Sequence, residues 1–339
     1  QPRAVGHGDR ARGGPHHRRP PPDHPRRGHP RPNPPTGPQV PTDTHTPTSS
    51  APPAEPIPAT LRVVTHARWL ADDLAAAAPP HVNVIHDYGL DLDPADAHLA
   101  AWWCPQKHAA RLLNSGTGTL FTAPGPQFTE RLPHGALGRT VIASHYNELW
   151  QHENVWADRP VHAKLAEAKL NRLPAAVYPN LDAFRAAANA AGIPGTAWVQ
   201  LSNPVEMVTE ARCWILHREV VAASVYLHNG QTWDAFTSPL DTEWAAGWAA
   251  GVVKRIHHQP DTYTLDVARL TDGSIVAIEA NPAWASNPYH AQLGPVIDCI
   301  LASQQADIPR SRQRNPVPWV WTPDPALPHN RRHTLPWRT

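Results

Sequence analysis

Leu265-Asp-Val-Ala-Arg-Leu-Thr-Asp-Gly-Ser-Ile-Val-Ala-Ile-Glu-Ala-Asn-Pro282 is the stretch on which the reading of this chain turns. Two apolar runs flank Asp272-Gly273, a dipeptide that accepts the positive φ of a tight turn, so the stretch predicts a β-hairpin over 263–270 and 274–281. A two-residue type I′ turn would set Thr271 against Ser274, and therefore Asp266 against Glu279. Side chains alternate along a strand, which puts Asn281 on the same face as Glu279, one step along. Two carboxylates with Cβ atoms about 5 Å apart destabilise a sheet unless something positive sits between them. A divalent cation answers that need, and the oxygen-only set Asp266, Glu279 and Asn281 suits Mg2+, which keeps waters and shares its remaining positions with phosphates. For Asp266 alone, a solvated hairpin face or an arginine partner are the alternatives.

Outward from the hairpin, strands dominate from residue 196 onward. Residues 196–201, 211–216 and 220–227 are apolar runs, the last two joined as a hairpin across 217–219. Asp241 caps a helix over 242–256, and a further helix spans 292–303. Nearer the start, strands at 61–65, 82–86 and 98–103 alternate with helices at 68–78 and 106–114, a small doubly wound α/β layer. Strands at 140–144 and 161–164 and a helix at 181–191 follow. The domain reading is a Pro/Arg/His-rich segment 1–58 expected to be disordered, an α/β layer 59–125, a larger α+β body 126–308, and a basic Pro/Trp-containing tail 309–339 that Trp319, Trp321 and Trp337 dock locally.

The hairpin resembles the last core hairpin of ATP-grasp enzymes, whose matching Asp, Glu and Asn hold the magnesium ions that bridge the phosphates of ATP. The resemblance implies that Asp266, Glu279 and Asn281 are metal ligands. Gln200-Leu-Ser-Asn-Pro-Val-Glu-Met-Val-Thr-Glu-Ala-Arg-Cys-Trp-Ile215 is similar to the segment in which a strand-to-loop hinge receives adenine on its backbone and an acid-x-Arg pair follows. It implies adenine on the backbone of Gln200, Leu201 and Ser202, ribose hydroxyls on Glu206, and Glu210 with Arg212 in the active site. The plain alternative for the last two is a same-face ion pair on a strand. Val161-His-Ala-Lys-Leu-Ala-Glu-Ala-Lys169, ahead of Arg172-Leu-Pro-Ala-Ala-Val-Tyr178, resembles the clade named for a shared arginine and two lysines. On that likeness Lys164 and Lys169 contact ATP phosphates, Arg139 or Arg212 is the arginine, and Arg212 with Lys169 serves catalysis; two surface lysines on a loop are the alternative. The pattern departs in two places: no glycine follows Lys164 where many members have a Gly-rich lid, and Thr264 stands where an arginine often precedes the Asp.

The fold so implied is an α/β protein whose ATP-grasp body has two α+β lobes with nucleotide between them. The implied activity is an ATP- and Mg2+-dependent ligation of a small-molecule or peptide carboxylate to an amine nucleophile through an acyl phosphate. A kinase that stops at phosphoryl transfer and a non-catalytic nucleotide-binding module are the alternatives. Trp284 and Tyr289, just past the hairpin, are candidates either for a substrate wall or for core.

Composition bears on the remaining classes. Residues 59–308 hold sixteen Lys plus Arg against twenty-four Asp plus Glu, so the body is acidic and nucleic acid is not its expected partner. Of thirty cationic side chains only Lys107, Lys164, Lys169 and Lys254 are lysine, a bias that singles out the Lys164–Lys169 pair. Cys104, Cys213 and Cys299 are odd in number and carry no Cys-x-x-Cys spacing, which fits neither a disulfide framework nor zinc and suits a reducing cytoplasm. No apolar run has the length of a membrane span. His16-His17 and His257-His258 lack convergent partners, and the oligomeric state is left open.

Overall fold

The computed structural model describes residues 59–88, 100–115, 119–306, 319–324 and 327. By internal contacts the chain divides into Gln1–Ala54 and a compact unit Glu55–Thr339; all of the expected disordered segment 1–58, and Trp337, lie outside the described residues.

The compact unit opens with a parallel sheet of β1 (Ala59–Val64), β2 (Val82–Asp87) and β3 (Ala100–Trp103) in the order β2-β1-β3. Helix α1 (Arg68–Ala77) makes the crossover from β1 to its parallel neighbour β2, and helix α2 (Gln106–Asn114) follows β3. The layer shares its cores with the rest of the unit. Leu61, Val63 and Leu74 pack with Val296, Ile297 and Ile300, while Val64 and Trp102 pack with Phe121, Trp284 and Trp321.

After β4 (Thr119–Phe121), one lobe is an antiparallel sheet of β5 (Val141–His145), β6 (Val161–Leu165), β7 (Ala176–Tyr178) and β8 (Trp198–Ser202), ordered β5-β8-β6-β7. Helix α3 (Leu181–Ala190) covers it. The Asn180 side chain accepts from the Ala183 N–H at 2.9 Å to cap the helix, whose Leu181, Phe184 and Ala188 join Val161, Ala163, Val199 and Leu201 in one core.

The other lobe is a sheet of β9 (Met207–Leu216), β10 (Glu219–His228), β11 (Gln231–Thr232), β12 (Thr262–Leu270) and β13 (Ile275–Asn281), ordered β11-β10-β9-β12-β13. Helix α4 (Glu243–Val253) covers one face, with Ala245, Ala249 and Val252 against Ala211, Cys213, Leu265 and Val267. Asp241 serves the start of that helix as expected, its Oδ1 accepting the Glu243 N–H at 2.9 Å. Period two sends Arg212, Glu210 and Asp266 to the opposite face. Helix α5 (Leu293–Ala302) and the first layer close part of that face over Trp214, and the chain then forms β14 (Gln304–Ala306) beside β4.

The hairpin turn differs from the expected two-residue form. Gly273 N–H donates to Leu270 O at 3.0 Å and Leu270 N–H to Ser274 O at 2.8 Å, enclosing the three residues Thr271, Asp272 and Gly273. Gly273 takes the positive φ of +83° such loops need, and Asp272 Oδ1 accepts from both Ser274 N–H and Ser274 Oγ–H, which holds the loop in this form. Pairing therefore starts one residue out of the expected register, with Arg269 opposite Ile275 and Val267 opposite Ala277. A β-bulge at Ile278 then restores it, so Asp266 does face Glu279. The tight two-residue turn occurs instead between β9 and β10, where His217 and Arg218 both have positive φ and Leu216 pairs with Glu219.

The C-terminal segment is docked by its tryptophans. Trp321 N–H donates to Phe121 O at 2.7 Å, Ala123 N–H to Trp319 O at 2.9 Å, and Trp321 packs on Trp284 with centroids 5.0 Å apart. Leu327 is buried in the core of the four-stranded lobe. Between this segment and the loop after β6 lies a cavity of about 230 Å³ lined in part by Trp319, Trp321 and Glu167.

Burial, and then the Asp324 carboxylate, push Glu167 up from 4.5 to about 7. A carboxyl raised by folding contributes stability that is complete below pH 4.5 and lost as pH rises through about 7. Glu167→Gln should therefore raise the melting temperature at pH 8 and leave it nearly unchanged at pH 4.5; equal shifts at both pH values would contradict the assignment.

Candidate functional site

The carboxylate pair is the centre of the polar face of the five-stranded sheet. Asp266 is 1% exposed and receives a two-point contact from Arg212, on the neighbouring β9, with Nε–Oδ1 and Nη2–Oδ2 both at 2.8 Å. Arg212 Nη1 also donates to Asn287 O at 3.3 Å. Glu279 is paired with Lys164, which projects from β6 in the other lobe, so this ion pair crosses the cleft between the two sheets. The Asn281 side-chain amide bridges the carboxylates, Nδ2 lying 3.1 Å from Asp266 Oδ2 and 2.9 Å from Glu279 Oε1. The three expected metal ligands are thus brought together by the hairpin, with Arg212 and Lys164 as their counter-charges.

The electrostatics follow from the placement. Burial raises Asp266 above the usual carboxylate range, an effect that Arg212 opposes and Glu279 reinforces. For Glu279 burial acts in the same upward direction, but the Lys164 ammonium outweighs it, helped by Asn281 and by Lys169, and the carboxyl is held well below its usual range. Asp266 keeps the Arg212 guanidinium charged against the cost of burial.

Glu210 lies one strand step from Arg212 and accepts from the Tyr226 hydroxyl at 2.7 Å. Tyr226 stacks on Tyr289, with centroids 5.0 Å apart and planes 22° off parallel, and the Arg212 guanidinium lies 5.8 Å and 5.3 Å from the two ring centroids. Tyr289 holds a positive φ of +53°, a strained position for an aromatic residue, supported by the Asn287 side chain accepting its N–H at 2.9 Å. Trp284, by contrast, is fully buried and donates to Thr122 O, so it is core.

Other expected residues are placed differently. The backbone of Gln200, Leu201 and Ser202 is paired on both sides, to β5 and to β6, so the strand ladder already engages it. The chain leaves the ladder at 203–205, and the exposed Glu206 ends that loop. Arg139 donates to main-chain carbonyls, Nη1 to Leu137 O at 3.0 Å and Ala277 O at 2.8 Å, Nη2 to Ile278 O at 3.3 Å. Lys169 is exposed on the loop after β6, close enough to act on Glu279.

Two residues of the site escaped the sequence reading. Tyr226 had no signal beyond an aromatic in a strand. His162 could have been found, since it stands two residues before Lys164 on one strand and so shares its face; burial and then the Lys164 and Arg139 charges lower its pKa.

Residues 137–299 match the model of an ATP-grasp domain family, the second family of the clade named for one arginine and two lysines. The chain carries an ATP-grasp domain of that clade. Solved structures similar to this chain include a RimK domain protein ATP-grasp from Sphaerobacter thermophilus DSM 20745, at 14% identity and TM-score 0.42 over 72% of this chain and 100% of that one. The D-cycloserine synthetase DcsG matches at 16% identity and TM-score 0.40, over 72% of this chain and 98% of that chain. D-alanine–D-alanine ligase from Bacillus anthracis complexed with ATP matches at 11% identity and TM-score 0.42, covering 72% and 97%. No curated protein matches the sequence. Among the described residues no helix is long and apolar enough to cross a membrane.

Lys164→Met leaves the Glu279 carboxylate without its counter-charge, which should destabilise the ATP-grasp domain by roughly 1–3 kcal/mol at pH 8. The loss should shrink towards pH 4, because without the ammonium Glu279 titrates nearer its ordinary range and protonates. Thermal melts of parent and variant at the two pH values check both parts.

Proposed function

We propose that this protein is an ATP- and Mg2+-dependent ligase that joins a carboxylate to an amine through an acyl phosphate. The observation that carries the reading is the cross-strand pair of Asp266 and Glu279, with Asn281 between them and two cations from different strands turned onto them. A site of this kind in an ATP-grasp domain suits the terminal phosphates of a nucleotide.

The donor set fits magnesium. Asp266 and Glu279 offer carboxylate oxygens from opposite strands, and a half-turn of the Asn281 amide brings its oxygen to where its NH2 now lies. Mg2+ held there would supply positive charge to the nucleotide phosphates. Lys164, released from Glu279, is placed to meet a phosphate, with Lys169 at the rim of the same cleft. Arg212 is held by Asp266 in a fixed orientation, so the N–H bonds it does not use there point a localised charge at the transferring group without reorganisation. The loop 203–206, outside the strand ladder, is the backbone we assign to the base, with Glu206 for the ribose.

In the reaction a substrate carboxylate oxygen bonds to the γ-phosphorus as the bond to ADP breaks. The amine nitrogen then bonds to the acyl carbon, phosphate leaves, and the nitrogen loses its proton. Positioning and charge neutralisation carry the first step, for which no residue need act as a nucleophile. Tyr226 and Tyr289, stacked beside Arg212, form the wall we assign to the acceptor side.

Calorimetric titration with a non-hydrolysable ATP analogue, with and without Mg2+, tests the reading. Wild type should bind in a magnesium-dependent way and Glu279→Gln should lose about tenfold or more of that affinity, near 1.4 kcal/mol. Magnesium-independent binding, or unchanged affinity in the variant, refutes the site. With a turned-over substrate pair, an amide product separates ligation from a phosphorylated product that accumulates.

A further inference from the structure

We infer that Arg139 is a positioning residue that holds the β-bulge at Ile278, and thereby sets the register that brings Glu279 opposite Asp266, rather than a ligand of the nucleotide. The three-residue loop at 271–273 starts the hairpin with Arg269 against Ile275, Ala268 against Val276 and Val267 against Ala277. Continued regularly, that register would place Ile278 opposite Asp266 and turn Glu279 to the other face of the sheet, because a slip of one residue reverses every side chain beyond it. One extra residue in β13 is what prevents this, and that residue is Ile278.

A bulge leaves backbone groups outside the ladder, and among the described residues β13 is an edge strand with no further strand beside it to take them up. Arg139 takes them up. Its Nη1 donates to Ala277 O at 2.8 Å and its Nη2 to Ile278 O at 3.3 Å, the two carbonyls at the bulge, while the same Nη1 also donates to Leu137 O at 3.0 Å. The guanidinium is thus a planar clamp between the bulge and the short helix His134–Leu137, a role a lysine ammonium cannot fill with the same geometry. The preceding residue fixes the approach. Gly138 has φ +60°, and a Cβ there would lie 2.5 Å from Val276 Cγ1, so the chain ahead of Arg139 lies directly against β13.

The clamp is geometry independent of what the cleft binds; only its consequence for magnesium rests on the function proposed above. The test uses Arg139→Met and a deletion of Ile278. Removing Ile278 makes the hairpin regular while leaving Asp266 opposite Glu279, so it removes the need for the clamp. Hydrogen exchange of the nucleotide-free protein, read on amides 276–281, should speed up by about tenfold or more in Arg139→Met. Unchanged exchange there overturns the proposal, even if the chain proves not to bind nucleotide. In magnesium-dependent titrations with the ATP analogue, Arg139→Met should cost about tenfold in the parent and less than about threefold in the Ile278 deletion. An equal cost in both backgrounds makes Arg139 a direct nucleotide contact and overturns the proposal. If the parent shows no nucleotide binding, the functional reading fails and the exchange measurement alone decides the role of Arg139.

Discussion

Asp266 and Glu279 face one another on adjacent strands in a buried setting, and their mutual repulsion organises the surrounding structure. Each carboxylate has been given its own cation and the two share an amide donor. Arg212 comes from the same sheet and meets Asp266 at two points; Lys164 comes from the other sheet and meets Glu279 across the cleft. One pair therefore lies within a lobe and the other joins two lobes. The second is the interaction that, on the function proposed, an incoming cation and a polyphosphate would exchange.

The periphery of the site follows from that arrangement. Tyr226 and Tyr289 shield the Arg212 guanidinium, and the Tyr226 hydroxyl satisfies Glu210, whose carboxyl burial raises and whose pKa the nearby Asp266 and Glu279 raise further. The left-handed backbone of Tyr289 is kept by the Asn287 side chain, while the Asn287 carbonyl takes an N–H of Arg212. The loop after the hairpin is thus bound to the same cation as the hairpin itself. The three cysteines take no part: all are buried, and burial raises each thiol.

The hairpin also shows how a correct pairing can be reached through a wrong turn. Asp272-Gly273 does mark the turn, but the Asp272 side chain closes a loop of three residues instead of two. A bulge then makes good the missing residue. Local propensity specifies that the chain reverses there; it does not specify bulges, which depend on a partner for the displaced carbonyls. That partner, Arg139, is more than a hundred residues away in sequence.

What the sequence determined by itself is periodic or chemical: the alternation that puts Glu279 and Asn281 on one face, the apolar runs that became β9, β10 and β12, and the scarcity of lysine that singled out Lys164 and Lys169. These are short-range properties, and short-range physics decides them. What only the tertiary structure decided concerns partners. It assigned Lys164 to Glu279 and Arg212 to Asp266, engaged the backbone of 200–202 in a ladder with strands on both sides, sent Trp284 into the core and Tyr289 to the cleft, and docked Trp319 and Trp321 beside Phe121. Each of these depends on which distant segments meet, and a one-dimensional pattern carries no record of that meeting beyond the side chains that make it favourable.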